Sequence, residues 1–238
     1  MSLQSHRVVI VGGTSGIGLA VAKSFLAEGA EVIVASRSQE KVDAAKKELG
    51  QAAHGHVLDF RDEIQTKQFF ENIGPFHHLV ITAGDAAMGP FDALPIRDAR
   101  AAFDSKFWGQ YVTVNGALPF IKDSGSITLT SGVYGVRPAR GAATLAAINS
   151  AIEGLARGLA VDVAPIRVNV VSPGLVDTPI YSGMDAESRE AMFQSVAQSL
   201  LLKHVARPEE IAEAYVYLAK NTFTTGTVIQ IEGGAMLS

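Results

Sequence analysis

The chain contains no cysteine among its 238 residues, which excludes disulfides, thiolate metal sites and cysteine nucleophiles. Charged residues make up only 18%, and 20 basic against 24 acidic side chains give a net charge of −4. This charge argues against a polybasic nucleic-acid partner. No uninterrupted apolar run reaches the roughly 18 residues that a membrane span needs, and the first residues lack a signal-peptide pattern. We therefore expect a soluble cytoplasmic protein that binds neither nucleic acid nor membrane.

Short apolar runs alternate with longer helical patterns along the chain. Residues 7–11 are apolar at consecutive positions, as in a buried parallel strand, and residues 16–28 then repeat apolar side chains at helical spacing. The same alternation predicts strands at 7–11, 31–35, 54–58, 78–82, 126–130, 167–171 and 227–231. It predicts helices at 16–28, 39–49, 62–72, 96–121, 142–163 and 208–220. The expected fold is a three-layer, doubly wound α/β Rossmann domain over 1–238, with a seven-stranded parallel sheet and an irregular, lid-forming segment at 173–203.

A glycine-rich turn lies between the first strand and the first helix, with the sequence Gly12-Gly13-Thr14-Ser15-Gly16-Ile17-Gly18. Glycines allow backbone to approach a pyrophosphate, and the helix N-terminus offers unpaired N–H groups and a positive dipole end. A tight turn alone would also explain the glycines. The enclosing strand–turn–helix pattern favours nucleotide binding.

The second strand ends at Ser36 and Arg37, where a site for NAD usually places an acid that holds the ribose 2′-hydroxyl. No acid stands beside Arg37 in the sequence. A guanidinium fits a 2′-phosphate, and Ser36 can add a hydrogen bond. The pattern favours NADP(H) over NAD(H), although an exposed arginine is common at a strand end.

Several further segments resemble landmarks of the short-chain dehydrogenase/reductase family, and the resemblance extends over nearly the whole chain. They are the glycine loop, Asp59-Phe60, Thr82-Ala83-Gly84, 168–174, 176–178 and Gly233-Gly234. The resemblance implies that Asp59 contacts the adenine and that Val176 and Thr178 meet the nicotinamide carboxamide. The complete predicted cofactor set is Gly12, Thr14, Ser15, Gly16, Ile17, Gly18, Ser36, Arg37, Asp59, Phe60, Ala83, Gly84, Pro173, Gly174, Val176 and Thr178.

The same resemblance implies that the family's catalytic residues are replaced. No Tyr-x-x-x-Lys occurs in the chain. Leu145 falls at the tyrosine position, Asn149 at the lysine position and Lys106 at the asparagine position. Gly132 falls at the serine position, with Ser131 one residue earlier. Because Leu145 has no proton to give, loss of that acid would cost about 10²–10⁴ in the rate of carbonyl reduction.

In this alignment lysine and asparagine exchange positions. Lys106 would therefore supply the positive charge that the family's lysine normally provides, but from another helix. It could polarise a carbonyl or relay a proton, or it could be an ordinary solvated lysine. Tyr134 is a second candidate proton donor, with loop packing as the alternative. The predicted catalytic set is therefore Lys106, Asn149, Ser131 and Tyr134.

Two functions remain open on the sequence. One is an NADP(H)-dependent oxidoreductase with a non-standard site, acting on a small-molecule quinone, enone or other carbonyl. The other is a catalytically silent NADP(H)-binding module that serves as a sensor, scaffold or partner subunit. The resemblance also implies a homotetramer or homodimer through the helices at 96–121 and 142–163. The six histidines show no ligand spacing, so no metal is expected.

Overall fold

The computed structural model describes residues 2–85 and 87–238. Seven parallel strands form one sheet in the order β3-β2-β1-β4-β5-β6-β7. The strands are β1 (Arg7–Val11), β2 (Glu31–Ser36), β3 (Ala53–Val57), β4 (Phe76–Ile81), β5 (Ile121–Thr130), β6 (Arg167–Pro173) and β7 (Val228–Ile231). The strand order reverses between β1 and β4, and such a switch point opens a crevice at the carboxyl ends of the strands. The predicted doubly wound fold is confirmed.

Helices cover both faces of the sheet and create two separate hydrophobic cores. They are α1 (Gly16–Ala27), α2 (Gln39–Leu49), α3 (Glu63–Ile73), α4 (Ile96–Phe103), α5 (Gly109–Ala117), α6 (Ala143–Asp162), α7 (Ala186–Ser199) and α8 (Pro208–Lys220). In β1, Val9 and Val11 pack into the core shared with α3, α5 and α6. Val8 and Ile10 pack into the core shared with α1 and α8. The continuous apolar run of β1 follows from this alternation, because both faces of the strand are buried.

The helical stretch predicted at 96–121 is a chain of four helical pieces. A π-helical turn at Asp104–Trp108 joins α4 to α5, and a 3-10 turn at Leu118–Phe120 follows α5. Gly109 does not break the helix. A Cβ at Gly109 would lie 2.1 Å from Cε2 of Phe60, so this glycine lets the helix pack directly on the segment after β3.

The expectation of an irregular segment at 173–203 is wrong. Pro173 belongs to β6, Pro179–Tyr181 forms a 3-10 turn, and α7 occupies 14 residues. Asp185 caps α7 by accepting a hydrogen bond from the Ser188 backbone N–H at 2.9 Å. Helix α7 has no buried residue, so it lacks the apolar stripe by which a helix is usually recognised. Within the described residues, no helix is both long and apolar enough to cross a membrane.

Candidate active site

A cleft of about 310 Å³ opens at the carboxyl ends of β1, β2 and β4. It lies at the switch point between β1 and β4, where open parallel sheets bind ligands. Twenty residues line it: Val11, Gly12, Thr14, Ser15, Gly16, Ile17, Gly18, Ala35, Ser36, Arg37, Lys41, Leu58, Phe60, Thr82, Ala83, Gly84, Asp85, Thr178, Pro179 and Ile180.

The glycine loop forms the floor of this cleft because its backbone is packed too closely for side chains. A Cβ at Gly18 would lie 2.1 Å from the carbonyl oxygen of Gly12. Gly12 itself has a φ of +93°, which disfavours other residues. Ser15 precedes α1 and makes no side-chain capping hydrogen bond. The first turn of α1 therefore presents its N–H groups to the cleft, an arrangement that suits a pyrophosphate.

The far end of the cleft carries the positive charge predicted at the end of β2. Ser36 and Arg37 line it, together with Lys41 from α2. Arg37 is not free, because its Nη2 lies 2.9 Å from Oδ2 of Asp85, which follows β4. Neither Lys41 nor Asp85 was predicted. Lys41 has no motif around it, and Asp85 is 48 residues distant from Arg37.

Four of the residues predicted to bind cofactor do not line the cleft. The Asp59 carboxylate accepts hydrogen bonds from Arg61 Nε and Nη2 at 2.8 and 2.6 Å, and these bonds lower its pKa. Gly174 packs against Glu232. Pro173 and Val176 are buried, Val176 beside Ala206. The other 12 predicted residues line the cleft.

Lys106 packs against Gly84 of the cleft lining, although it does not line the cleft itself, and it connects three elements. Its side chain packs against Gly84, where a Cβ would come within 2.9 Å of Lys106 Cγ. Its Nζ donates to the Ser131 carbonyl oxygen at 2.9 Å and to Asn149 Oδ1 at 2.7 Å. Burial lowers the pKa of Lys106 to about 8, because an ammonium loses hydration inside protein.

Asn149 holds this lysine from α6. Its Oδ1 accepts from Lys106, and its Nδ2 donates to the Gly132 carbonyl oxygen at 3.1 Å. Leu145 stands one turn earlier on the same helix. Lys106 and Asn149 are thus in direct contact.

Ser131 and Tyr134, the other two predicted catalytic residues, do not line the cleft. The Ser131 hydroxyl is buried and donates to Glu153 Oε1 at 3.0 Å, so its proton points to α6. The sequence did not predict this role for Glu153. Tyr134 lies in the 3-10 turn Val133–Gly135. Burial raises the pKa of Tyr181, and Tyr134 adds to the effect.

Comparison with known proteins identifies the family. The family model described as enoyl-(acyl carrier protein) reductase matches residues 11–236. The short-chain dehydrogenase/reductase ATR9 of Stachybotrys chlorohalonatus is 34% identical, over 99% of this chain and 99% of its own length. The chain belongs to the short-chain dehydrogenase/reductase family.

Solved structures of other short-chain dehydrogenases/reductases share the fold closely. A small-chain dehydrogenase crystallised in complex with NADPH has a TM-score of 0.87 at 38% identity, covering 99% of this chain and 100% of that one. The MalC reductase/Diels-Alderase of Malbranchea aurantiaca has a TM-score of 0.92 at 31% identity, covering 99% and 98%. The chain is thus a short-chain dehydrogenase/reductase of the oxidoreductase type, and the solved structures similar to it include one with bound NADPH.

Proposed function

We propose that this short-chain dehydrogenase/reductase is an NADP(H)-dependent oxidoreductase in which Lys106 replaces the family's tyrosine as proton donor. The observation that carries the proposal is the Lys106 ammonium, held by Ser131 and Asn149 beside Gly84 of the cleft. We propose that 1–238 forms one cofactor-binding domain in which the segment 173–203 closes over the substrate.

The residues present fit a dinucleotide. The closely packed glycines and the uncapped first turn of α1 would hold the pyrophosphate, and Ser36, Arg37 and Lys41 would hold a 2′-phosphate. Thr178, which packs beside Gly16 in the cleft lining, would meet the nicotinamide amide. The bound cofactor supplies the hydride. The related NADPH complex supports NADP(H) as that cofactor.

Lys106 holds the proton that the reduced substrate needs. With a pKa of about 8, the amine is about ten to one protonated at pH 7. Two of its three N–H donors are engaged by protein oxygens, which fixes the side chain. We propose that the remaining N–H donates to the substrate oxygen as negative charge develops there, directly or through one water.

This arrangement favours substrates whose reduced anion is already delocalised. The reduced anions of quinones and conjugated enones spread the negative charge over several atoms, so a cation near the oxygen is enough to stabilise them. Simple ketones form a localised alkoxide and depend more on an aligned acid. We therefore propose quinones, enones and related activated carbonyls as the substrate class.

A catalytically silent NADP(H)-binding module is the second candidate. Two observations favour it: Leu145 carries no proton, and the hydroxyl of Ser131 is engaged by Glu153. Such a module would bind the cofactor with the same cleft and use it as a signal for a partner.

One experiment separates the two functions. NADPH and NADH are titrated by fluorescence, and NADPH oxidation is then followed with panels of quinones, enones, ketones and aldehydes. Turnover of any panel member supports the oxidoreductase, whereas tight NADPH binding without turnover supports the silent module. Absence of binding to either dinucleotide would contradict both functions.

We further propose a homodimer or homotetramer through the helices at 96–121 and 142–163. The first carries Trp108 and Tyr111, exposed by 49% and 43%. On the second, among the residues that the structure describes, no atom beyond the helix's own backbone lies within 4 Å of a Cβ built at Gly154 or Gly158, so another helix could approach closely. Analytical ultracentrifugation should show an oligomer for the wild type and a smaller species for Gly158→Arg.

A further inference from the structure

We propose that Asp85 sets the choice between NADP(H) and NAD(H), an inference that rests on the proposed function. Its carboxylate would compete with the 2′-phosphate for Arg37. It would also supply, from the loop after β4, the acid that the end of β2 lacks. The enzyme would then discriminate less strongly between the two cofactors than the sequence around Arg37 implies.

The geometry places Asp85 where a 2′-substituent would bind. Asp85 Oδ2 lies 2.9 Å from Arg37 Nη2, and both residues line the cleft together with Ser36. The backbone is anchored, because the Asp85 N–H donates to Ser105 Oγ at 3.0 Å. Ser105 is itself buried. This hydrogen bond fixes the backbone of Asp85, while the ion pair with Arg37 orients its carboxylate.

The pair is open to exchange with a ligand. The side chains of Arg37 and Asp85 are exposed by 47% and 71%, and exposed ion pairs are weak because water competes for both groups. A phosphate dianion forms stronger, forked hydrogen bonds with a guanidinium than one carboxylate oxygen does. NADPH can therefore displace Asp85, although the displaced carboxylate stays near the phosphate and repels it.

NADH presents a neutral 2′-hydroxyl at the same place. A carboxylate is the usual acceptor for that hydroxyl, and Asp85 is a carboxylate within reach of the Ser36–Arg37 end of the cleft. Removing the charge of Asp85 should therefore have opposite effects on the two cofactors. A general change in net charge would move both affinities in the same direction.

The test measures the dissociation constants of NADPH and NADH for the wild type, Asp85→Asn and Asp43→Asn. Asp43 is an exposed carboxylate on α2 outside the cleft, so its replacement is the matched control for charge. We expect Asp85→Asn to tighten NADPH binding by about 2–5-fold, the upper range for an exposed ion pair, and to weaken NADH binding by about 2–5-fold. Asp43→Asn should change each by less than about twofold.

A second pair of variants isolates the competition for Arg37. In an Arg37→Gln background, Asp85→Asn should improve NADPH binding less than it does in the wild type. If the wild type binds NADPH and Asp85→Asn behaves like Asp43→Asn, the inference is overturned and the proposed function stands. If the wild type binds neither dinucleotide, the proposed function fails and the inference fails with it.

Discussion

Replacing Asn149 by aspartate should raise the pKa of Lys106, and it also removes the hydrogen bond that Asn149 Nδ2 donates to the Gly132 carbonyl oxygen. Asn149 Oδ1 lies 2.7 Å from Lys106 Nζ, so the variant would place a carboxylate oxygen against the ammonium. An opposite charge at this range raises the pKa of a lysine by about one to three pH units. Because burial alone lowers the wild-type pKa to about 8, the variant should titrate at about 9–11.

The titration can be measured without a substrate. Acetic anhydride reacts with neutral amines, so the labelling of Lys106, followed by mass spectrometry across pH 6–11, reports its fraction deprotonated. The wild-type midpoint should lie near 8, well below the ordinary lysine value of 10.5. Asn115→Asp is the control, because Asn115 is an exposed asparagine on α5.

Two results would refute this reasoning. A wild-type midpoint near the ordinary 10.5 would mean that Lys106 is solvated rather than buried at the site. An unchanged midpoint in Asn149→Asp would mean that the two side chains are not in contact. In the proposed enzyme, the acidic form of Lys106 is the active one for reduction, so reduction by the wild type should decline above pH 8 and Asn149→Asp should retain activity to higher pH.

Two further predictions concern the cleft floor and the central strand β4. Gly18→Ala should abolish NADPH binding, because its Cβ would lie 2.1 Å from the Gly12 carbonyl oxygen. The control Gly183→Ala places its Cβ in open space and should bind NADPH normally, as measured by calorimetry. Equal NADPH affinities for the two variants would contradict the role of the glycine loop. His78 is buried, and burial lowers its pKa to about 3. Its contribution to stability is therefore complete above pH 6.5 and is lost as the pH falls, by about 2 kcal/mol at pH 5. Urea unfolding measures how much free energy of unfolding each protein loses between pH 7 and pH 5. Compared with the wild type, His78→Gln should lose less, whereas the exposed control His54→Gln should lose the same amount. Equal losses in all three proteins would contradict a lowered pKa for His78.

The fold could be predicted because each element carries its own signal. Strand β1 is apolar on both faces since its alternate residues enter two different cores, and the glycine loop is required by close backbone packing. Helix α7 could not be predicted from periodicity, because it buries none of its residues. The local signals available were its capping aspartate, Asp185, and the acidic Glu187 in its first turn.

The candidate site could be predicted only in part. Motifs and resemblance indicated the glycine loop, Arg37 and the exchanged pair Lys106 and Asn149. They could not indicate Asp85, because its contact with Arg37 spans 48 positions and depends on β2 and β4 ending at the same edge of the sheet. For the same reason, the buried contact of Ser131 with Glu153 depends on how α6 packs against β5. Tertiary contacts of this kind leave no local pattern in a single sequence.

The most direct test of the central claim compares NADPH-dependent turnover by the wild type and Lys106→Met on the best substrate of the panel, with NADPH affinity measured on the same samples. If Lys106 is the proton donor, Lys106→Met should bind NADPH within about twofold of the wild-type affinity. Its kcat should fall by about 10²–10⁴, the usual contribution of a general acid. Equal turnover by the two proteins at equal NADPH affinity would contradict that role.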